Sequence, residues 1–217
     1  FFGIPDGATA IKLSFLSVAV WWLVFTIPLI LYVSEPNDGK SVNLIKAINM
    51  GWNQLIETFK EIRKMRVVGL FLLAYWFYID GVDTIIKMAV DYGMSLNFPK
   101  ESLIIALLVV QFIAFPAAII YGWIATKIGT KNGIMIGIIG YSVITFLGYF
   151  MTKVVHFYTL AVLIGLFQGG IQALSRSLYT RIIPPSKSAE FFGFYNMFGK
   201  FAAIVGPALM GTVTILF

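Results

Sequence analysis

From Leu13 to Val33 the chain runs for twenty-one residues without a charged side chain. Wound as an α-helix, such a run reaches about 30 Å, the hydrocarbon thickness of a bilayer. Five more apolar runs follow: Val67 to about Val90, Ser102 to Thr126, Gly133 to Met151, Phe157 to about Leu178, and about Phe191 onward. In lipid every backbone N–H and C=O must find its partner inside the protein, and a helix supplies those partners within its own segment. The expected fold class is therefore all-α and transmembrane, with six spans. Composition agrees: 59% of residues are hydrophobic and 12% charged, and mean hydropathy is +0.88. Sixteen Lys/Arg and ten Asp/Glu are too few to coat a soluble surface of this size.

Several chemistries are excluded. With no cysteine and one histidine, there are no disulfides, no thiolate metal sites and little scope for imidazole ligation or catalysis, so no metal or other cofactor is expected. Phosphate-loop, HExxH, Gly-x-Ser-x-Gly and CxxC signatures are absent from the sequence, which removes the usual ATPase, zinc-protease, serine-hydrolase and redox readings. The net charge of +6 invites comparison with nucleic-acid binders, but its distribution speaks for membrane orientation. The segments 34–66, 127–132 and 176–190 hold eleven cations: Lys40, Lys46, Lys60, Arg63, Lys64, Arg66, Lys127, Lys131, Arg176, Arg181 and Lys187. The intervening side holds Lys12, Lys100 and Lys153, with Lys87 as a fourth if it reaches that surface. By the positive-inside rule the first set is cytoplasmic, so partners are the lipid bilayer and not nucleic acid.

The longest polar stretch, 34–66, opens on a turn cluster from Ser34 to Gly39 and continues with apolar residues at helical spacing, Ile45, Ile48, Trp52, Leu55, Ile56, Phe59 and Ile62. Lys46, Glu57, Lys60, Glu61, Arg63 and Lys64 occupy the other face. This is either an interfacial helix on anionic lipid or a solvated helix packed on the protein's own cytoplasmic surface. The chain opens at Phe1 without a visible signal peptide and closes inside an apolar run at Phe217. The expectation is a segment of a longer protein.

The turn after the third span reads Gly122-Trp123-Ile124-Ala125-Thr126-Lys127-Ile128-Gly129-Thr130-Lys131. It resembles the cytoplasmic-loop motif of the major facilitator superfamily at Gly122, Lys127, Gly129 and Lys131, whereas Thr126 replaces the usual acid and Thr130 a cation. These departures suit the degenerate copy between helices 8 and 9. The six spans then read as helices 6 to 11 of twelve: 1–33 as the last helix of the N-terminal half, 34–66 as the central linker, and 67–217 as five helices of the C-terminal half. The stretches Tyr75 to Thr84, Gly165 to Ser177, Ile183-Pro184-Pro185 and Glu190 to Tyr195 resemble the autophagy-related vacuolar effluxer branch and its bacterial relatives. The branch implies export of small solutes, amino acids in its fungal members, by a secondary transporter that exposes its site alternately to the two sides. The compact linker points to a bacterial member and hence to a bacterial inner (plasma) membrane. Substrate, direction, coupling ion and oligomeric state stay open.

Candidate site residues lie inside the spans. Asp80, Asp83 and Lys87 are spaced i, i+3, i+7 and share a helix face. Asp80 is the deepest acid, about 20 Å along its span by helical rise. An ionised carboxylate there costs about 2.5 kcal/mol or more unless hydrated, paired or protonated. Asp80 and Asp83 are candidates for solute or proton coupling; the alternative is structural, with Asp83 paired to Lys87 and Asp80 hydrogen-bonded near Gly81. Gln168, Gln172, Ser175 and Arg176 share a face of the fifth span, either to bind a zwitterionic solute or to join helices. Arg176 pairs with Glu190 or meets solute. Asn196 and Lys200 repeat an i, i+4 spacing, and Lys200 can snorkel to the cytoplasm. Gly193, Gly206, Pro207 and Gly211 follow an antiporter-type glycine pattern, with Ala202 and Met210 in glycine positions, and imply close helix packing. Two other readings stand beside transport: a membrane scaffold, and an intramembrane enzyme using Asp80 and Asp83 as an acid pair.

Overall fold

Each apolar run forms a helix that continues past the apolar residues, because the i to i−4 hydrogen bonding does not stop where lipid does. The computed structural model describes residues 7–34 and 43–216. The turn residues 35–39 and Lys40 lie outside the described residues. The helices are α1 (Gly7–Tyr32), α2 (Leu44–Lys64), α3 (Arg66–Ser95), α4 (Lys100–Ile128), α5 (Thr130–Tyr149), α6 (Val154–Ile182) and α7 (Ser188–Leu216), with a short 3-10 turn at Pro185–Lys187. Six of these elements, all but α2, are long and apolar enough to cross a membrane. The expected all-helical class and its six spans therefore stand, while the connections are shorter than the sequence suggests. The expected loop from Tyr179 to Glu190 shrinks to 183–187, since α6 runs to Ile182 and α7 begins at Ser188.

The chain divides into two compact units, Phe1–Asn49 and Met50–Phe217. In the first, α1 satisfies its hydroxyls internally: Ser14, Ser17 and Thr26 donate to the carbonyls of Ala10, Ser14 and Trp22. In the second, five helices alternate in direction. α4 and α6 run parallel and pack through glycine: a Cβ on Gly165 would lie 2.9 Å from the Val110 carbonyl oxygen, and one on Gly169 3.0 Å from that of Ala114. α5 runs antiparallel to α6, its Gly133, Gly137 and Gly140 meeting Leu174, Ile171 and Phe167 in turn. α3 and α7 are parallel, with Tyr75 stacked on Tyr195 at 4.2 Å between ring centroids and Asp80 against Gly206 further along. α3 and α6 are antiparallel, since Phe71 stacks on Tyr179 while Tyr78 bonds Ser175.

This alternation gathers Arg66, Lys127, Lys131, Arg181 and Lys187 at one end of the unit, and Asn97, Lys100, Lys153 and His156 at the other. The second part of α2 joins the first end. Thr58 and Ile62 are buried, Gln54 and Thr58 donate to the Glu190 carboxylate at 2.6 and 2.8 Å, and Lys187 bridges to Glu61. α2 is thus packed on the protein's own surface along this stripe, whereas Trp52, Leu55 and Ile56 stay exposed. We expect Asn97→Cys and Lys131→Cys, each introduced into this cysteine-free sequence, to label from opposite sides of a sealed vesicle; labelling of both from one side overturns the alternation.

Candidate functional site

Along α3 the stripe of Asp80, Asp83 and Lys87 meets α7 lengthwise, and the contact splits it. Asp80 lines a largely apolar cavity of about 690 Å³, together with Thr84, Gln111, Thr145 and Gln168. Asp83 and Lys87 line a separate cleft of about 830 Å³, formed by α3, α6 and α7. Gln172 and Arg176 enter that cleft from α6, and Asn196 and Lys200 enter it from α7. Tyr75, Tyr195 and Gly199 complete the wall nearer the basic end. Three i, i+4 pairs from three helices therefore converge on one space, because in each helix residues four apart share a face.

The four coupling candidates are divided between the two cavities, Asp83 and Gln172 in the cleft, Asp80 and Gln168 in the other. Ser175, on the sequence face of Gln168 and Gln172, is fully buried; its Oγ donates to the Ile171 carbonyl and is bonded to Tyr78 Oη at 2.6 Å. Among the described residues Asp83 and Lys87 do not form an ion pair; Lys87 Nζ instead donates to the Ala203 carbonyl at 3.1 Å. Arg176 and Glu190 do not pair either, since Glu190 accepts from Gln54 and Thr58. Asp80 Oδ1 accepts the Gly206 N–H at 2.8 Å. The Gln168 Oε1 and Thr84 Oγ1 atoms are buried without a hydrogen-bond partner. Because Asp80 and Asp83 point into different cavities, they do not converge on one bond as an acid dyad must.

Chemically, the cleft offers one carboxylate, three cations and two amides. Charges in a membrane interior face a cavity or a partner, and here they face a cavity. An anionic group entering between Arg176 and Lys200 would be drawn by charge, with Gln172 and Asn196 able both to donate and to accept hydrogen bonds. Tyr75 and Tyr195 were not distinguished by spacing; their only signal was the Tyr75 to Thr84 and Glu190 to Tyr195 resemblance.

The basic turn forms at Gly129, whose φ of +88° favours glycine. Lys127 Nζ lies 3.8 Å from the centroid of the Trp123 ring, a cation–π contact. Thr126, in the position of the motif's acid, donates to the Trp123 carbonyl, and Lys131 is exposed. A Cβ on Gly122 would meet nothing within 4 Å. Of the glycine pattern in α7, Gly206 is buried against Thr84 and Asp80, whereas Gly193 and Gly211 face open space. Among the described residues no cluster of metal-ligating side chains occurs.

A family model described as vacuole effluxer Atg22 like matches residues 4–215. The uncharacterized MFS-type transporter YxiO of Bacillus subtilis (strain 168) is 46% identical over 94% of this chain and 47% of its own length. Autophagy-related protein 22 of Yarrowia lipolytica is 29% identical over 97% of this chain and 41% of its own length, and that of Saccharomyces cerevisiae is 29% identical over 94% and 45%. The chain spans about half the length of the curated relatives it matches. No solved structure matches it.

Proposed function

The chain belongs to the Atg22-like vacuole effluxer family, a family of multi-pass membrane transporters and not of enzymes, and from that premise we propose that it is part of a secondary active transporter whose solute site includes the cleft of α3, α6 and α7. The observation that carries this reading is the convergence of Asp83, Gln172, Arg176, Asn196 and Lys200 on one space between three membrane-length helices. The solute is a small molecule bearing a carboxylate and an ammonium, an amino acid in the simplest case, moved outward by alternating access. Its carboxylate meets Arg176 and Lys200, and its ammonium meets Asp83. Asp83 is also the titratable acid within the cleft, which makes it the place where a proton enters the cycle. In this reading 1–33 is the last helix of the first half, 34–66 the linker, and 67–217 helices 7 to 11, in a bacterial inner membrane. Rocking of two halves about a site between them is how inverted-repeat transporters work, and it supplies the rest of the cage from outside this chain.

Solute protection tests the site. In the full-length protein, alkylation of Gln172→Cys and of Asn196→Cys should be slowed by a saturating amino-acid mixture, while Gln168→Cys, in the other cavity, should react unchanged. Equal behaviour at all three positions contradicts the assignment.

A further inference from the structure

Pro207 lies inside α7, which continues through it as one helix. A proline has no N–H, so the carbonyl four residues earlier, Ala203, loses its helical donor, and the ring crowds that same carbonyl. Such an orphan needs another donor, and Ala203 lines the cleft where one can reach it. Lys87 supplies the donor, its Nζ lying 3.1 Å from the Ala203 oxygen. One residue before the proline, the Gly206 N–H donates to Asp80 Oδ1 at 2.8 Å. Gly206 is buried, and any side chain there would collide with Thr84; glycine thus lets α3 come close enough for Asp80 to reach the backbone. A cation on a bare carbonyl and an anion on an N–H are both charge-assisted hydrogen bonds, about twice as strong as neutral ones. The two side chains that supply them are seven residues apart on α3, and both reach the α7 backbone in the turn that leads into Pro207.

We propose that Asp80 and Lys87 are positioning residues that clamp the Gly206–Pro207 segment of α7 onto α3, so that these two walls of the cleft move as one body. The clamp makes Asp80 an acceptor for backbone and leaves Arg176 and Lys200 as the cleft cations free for solute. It holds whatever the solute is, and its test needs none.

The test is amide hydrogen exchange over residues 203–210 of the full-length protein in lipid nanodiscs. Lys87→Met should raise exchange there about tenfold or more, the effect of losing one charge-assisted hydrogen bond, while Lys87→Arg, which keeps a donor, should restore most of the protection. Pro207→Ala returns the missing N–H to Ala203, so adding Lys87→Met to it should change exchange less than about twofold. Asp80→Leu should loosen Gly206 as Lys87→Met does, whereas Asp80→Asn, whose amide oxygen still accepts, should not. An equal effect of Lys87→Met with and without Pro207 overturns the clamp, as does loss of protection in Asp80→Asn as large as in Asp80→Leu. Solute protection at Gln172→Cys is a separate readout, so a failed clamp and a failed solute site are distinguishable.

Discussion

Replacing Arg176 by glutamine is expected to reduce solute exchange by roughly ten- to a hundredfold, the equivalent of one charge-assisted hydrogen bond to a carboxylate. Arg176 lies six residues before the end of α6 at Ile182, about 9 Å by helical rise from the basic face, and lines the cleft without an ion-pair partner among the described residues. Glutamine keeps one amide donor group but is shorter and removes the charge and the planar fork that matches a carboxylate. The loss should appear as a raised half-saturating concentration, measured in reconstituted full-length protein. Glu190→Gln should leave it unchanged, because Glu190 is occupied by Gln54 and Thr58 on α2. An Arg176→Gln protein with ordinary half-saturation contradicts the placement of the carboxylate.

Asp83→Asn should abolish gradient-driven transport and, because Asp83 also meets the solute's ammonium, raise the half-saturating concentration, while exchange at saturating solute survives. The amide is close in shape to a protonated carboxyl and cannot titrate, so a step that requires Asp83 to take up and release a proton is lost; exchange, which needs no net proton movement, continues. Asp83 shares the cleft with Lys87 and Lys200, and removing its charge leaves those cations without their one carboxylate there. Lys200→Met should not restore gradient-driven transport to Asp83→Asn, since removing a cation returns no titrating group. Asp80→Asn, on the other side of the α3–α7 contact, should keep both activities. Full gradient-driven transport in Asp83→Asn, with an unaltered pH profile, contradicts its coupling role.

The contrast between these two aspartates marks what sequence reasoning can reach. Three-residue spacing puts Asp80 and Asp83 on one face of α3, and depth singles out Asp80 as the costlier acid. Which side of a packed neighbour each falls on is a tertiary matter: α7 lies along that face, its Gly206 admitting Asp80 to the backbone and leaving Asp83 to the cleft. The spans themselves were legible because uninterrupted apolar runs have few other solutions, and the basic turn because its glycine and lysines are close in sequence. The docking stripe of α2 was not, as Gln54, Thr58 and Glu61 are ordinary polar residues on an amphipathic helix until Glu190 and Lys187 are brought to them. Gln172 with Arg176 and Asn196 with Lys200 were visible as helical pairs, but their meeting needed α6 and α7 to be placed against α3.

Counterflow tests the central claim most directly. Sealed vesicles containing the full-length protein are loaded with an unlabelled amino-acid mixture and diluted into the labelled one without any ion gradient. A transporter with its solute site in this cleft takes up label transiently above equilibrium, and Arg176→Gln suppresses the overshoot at subsaturating solute. Folded, membrane-inserted wild-type protein that shows no overshoot with any amino acid, or an overshoot indifferent to Arg176→Gln, contradicts it.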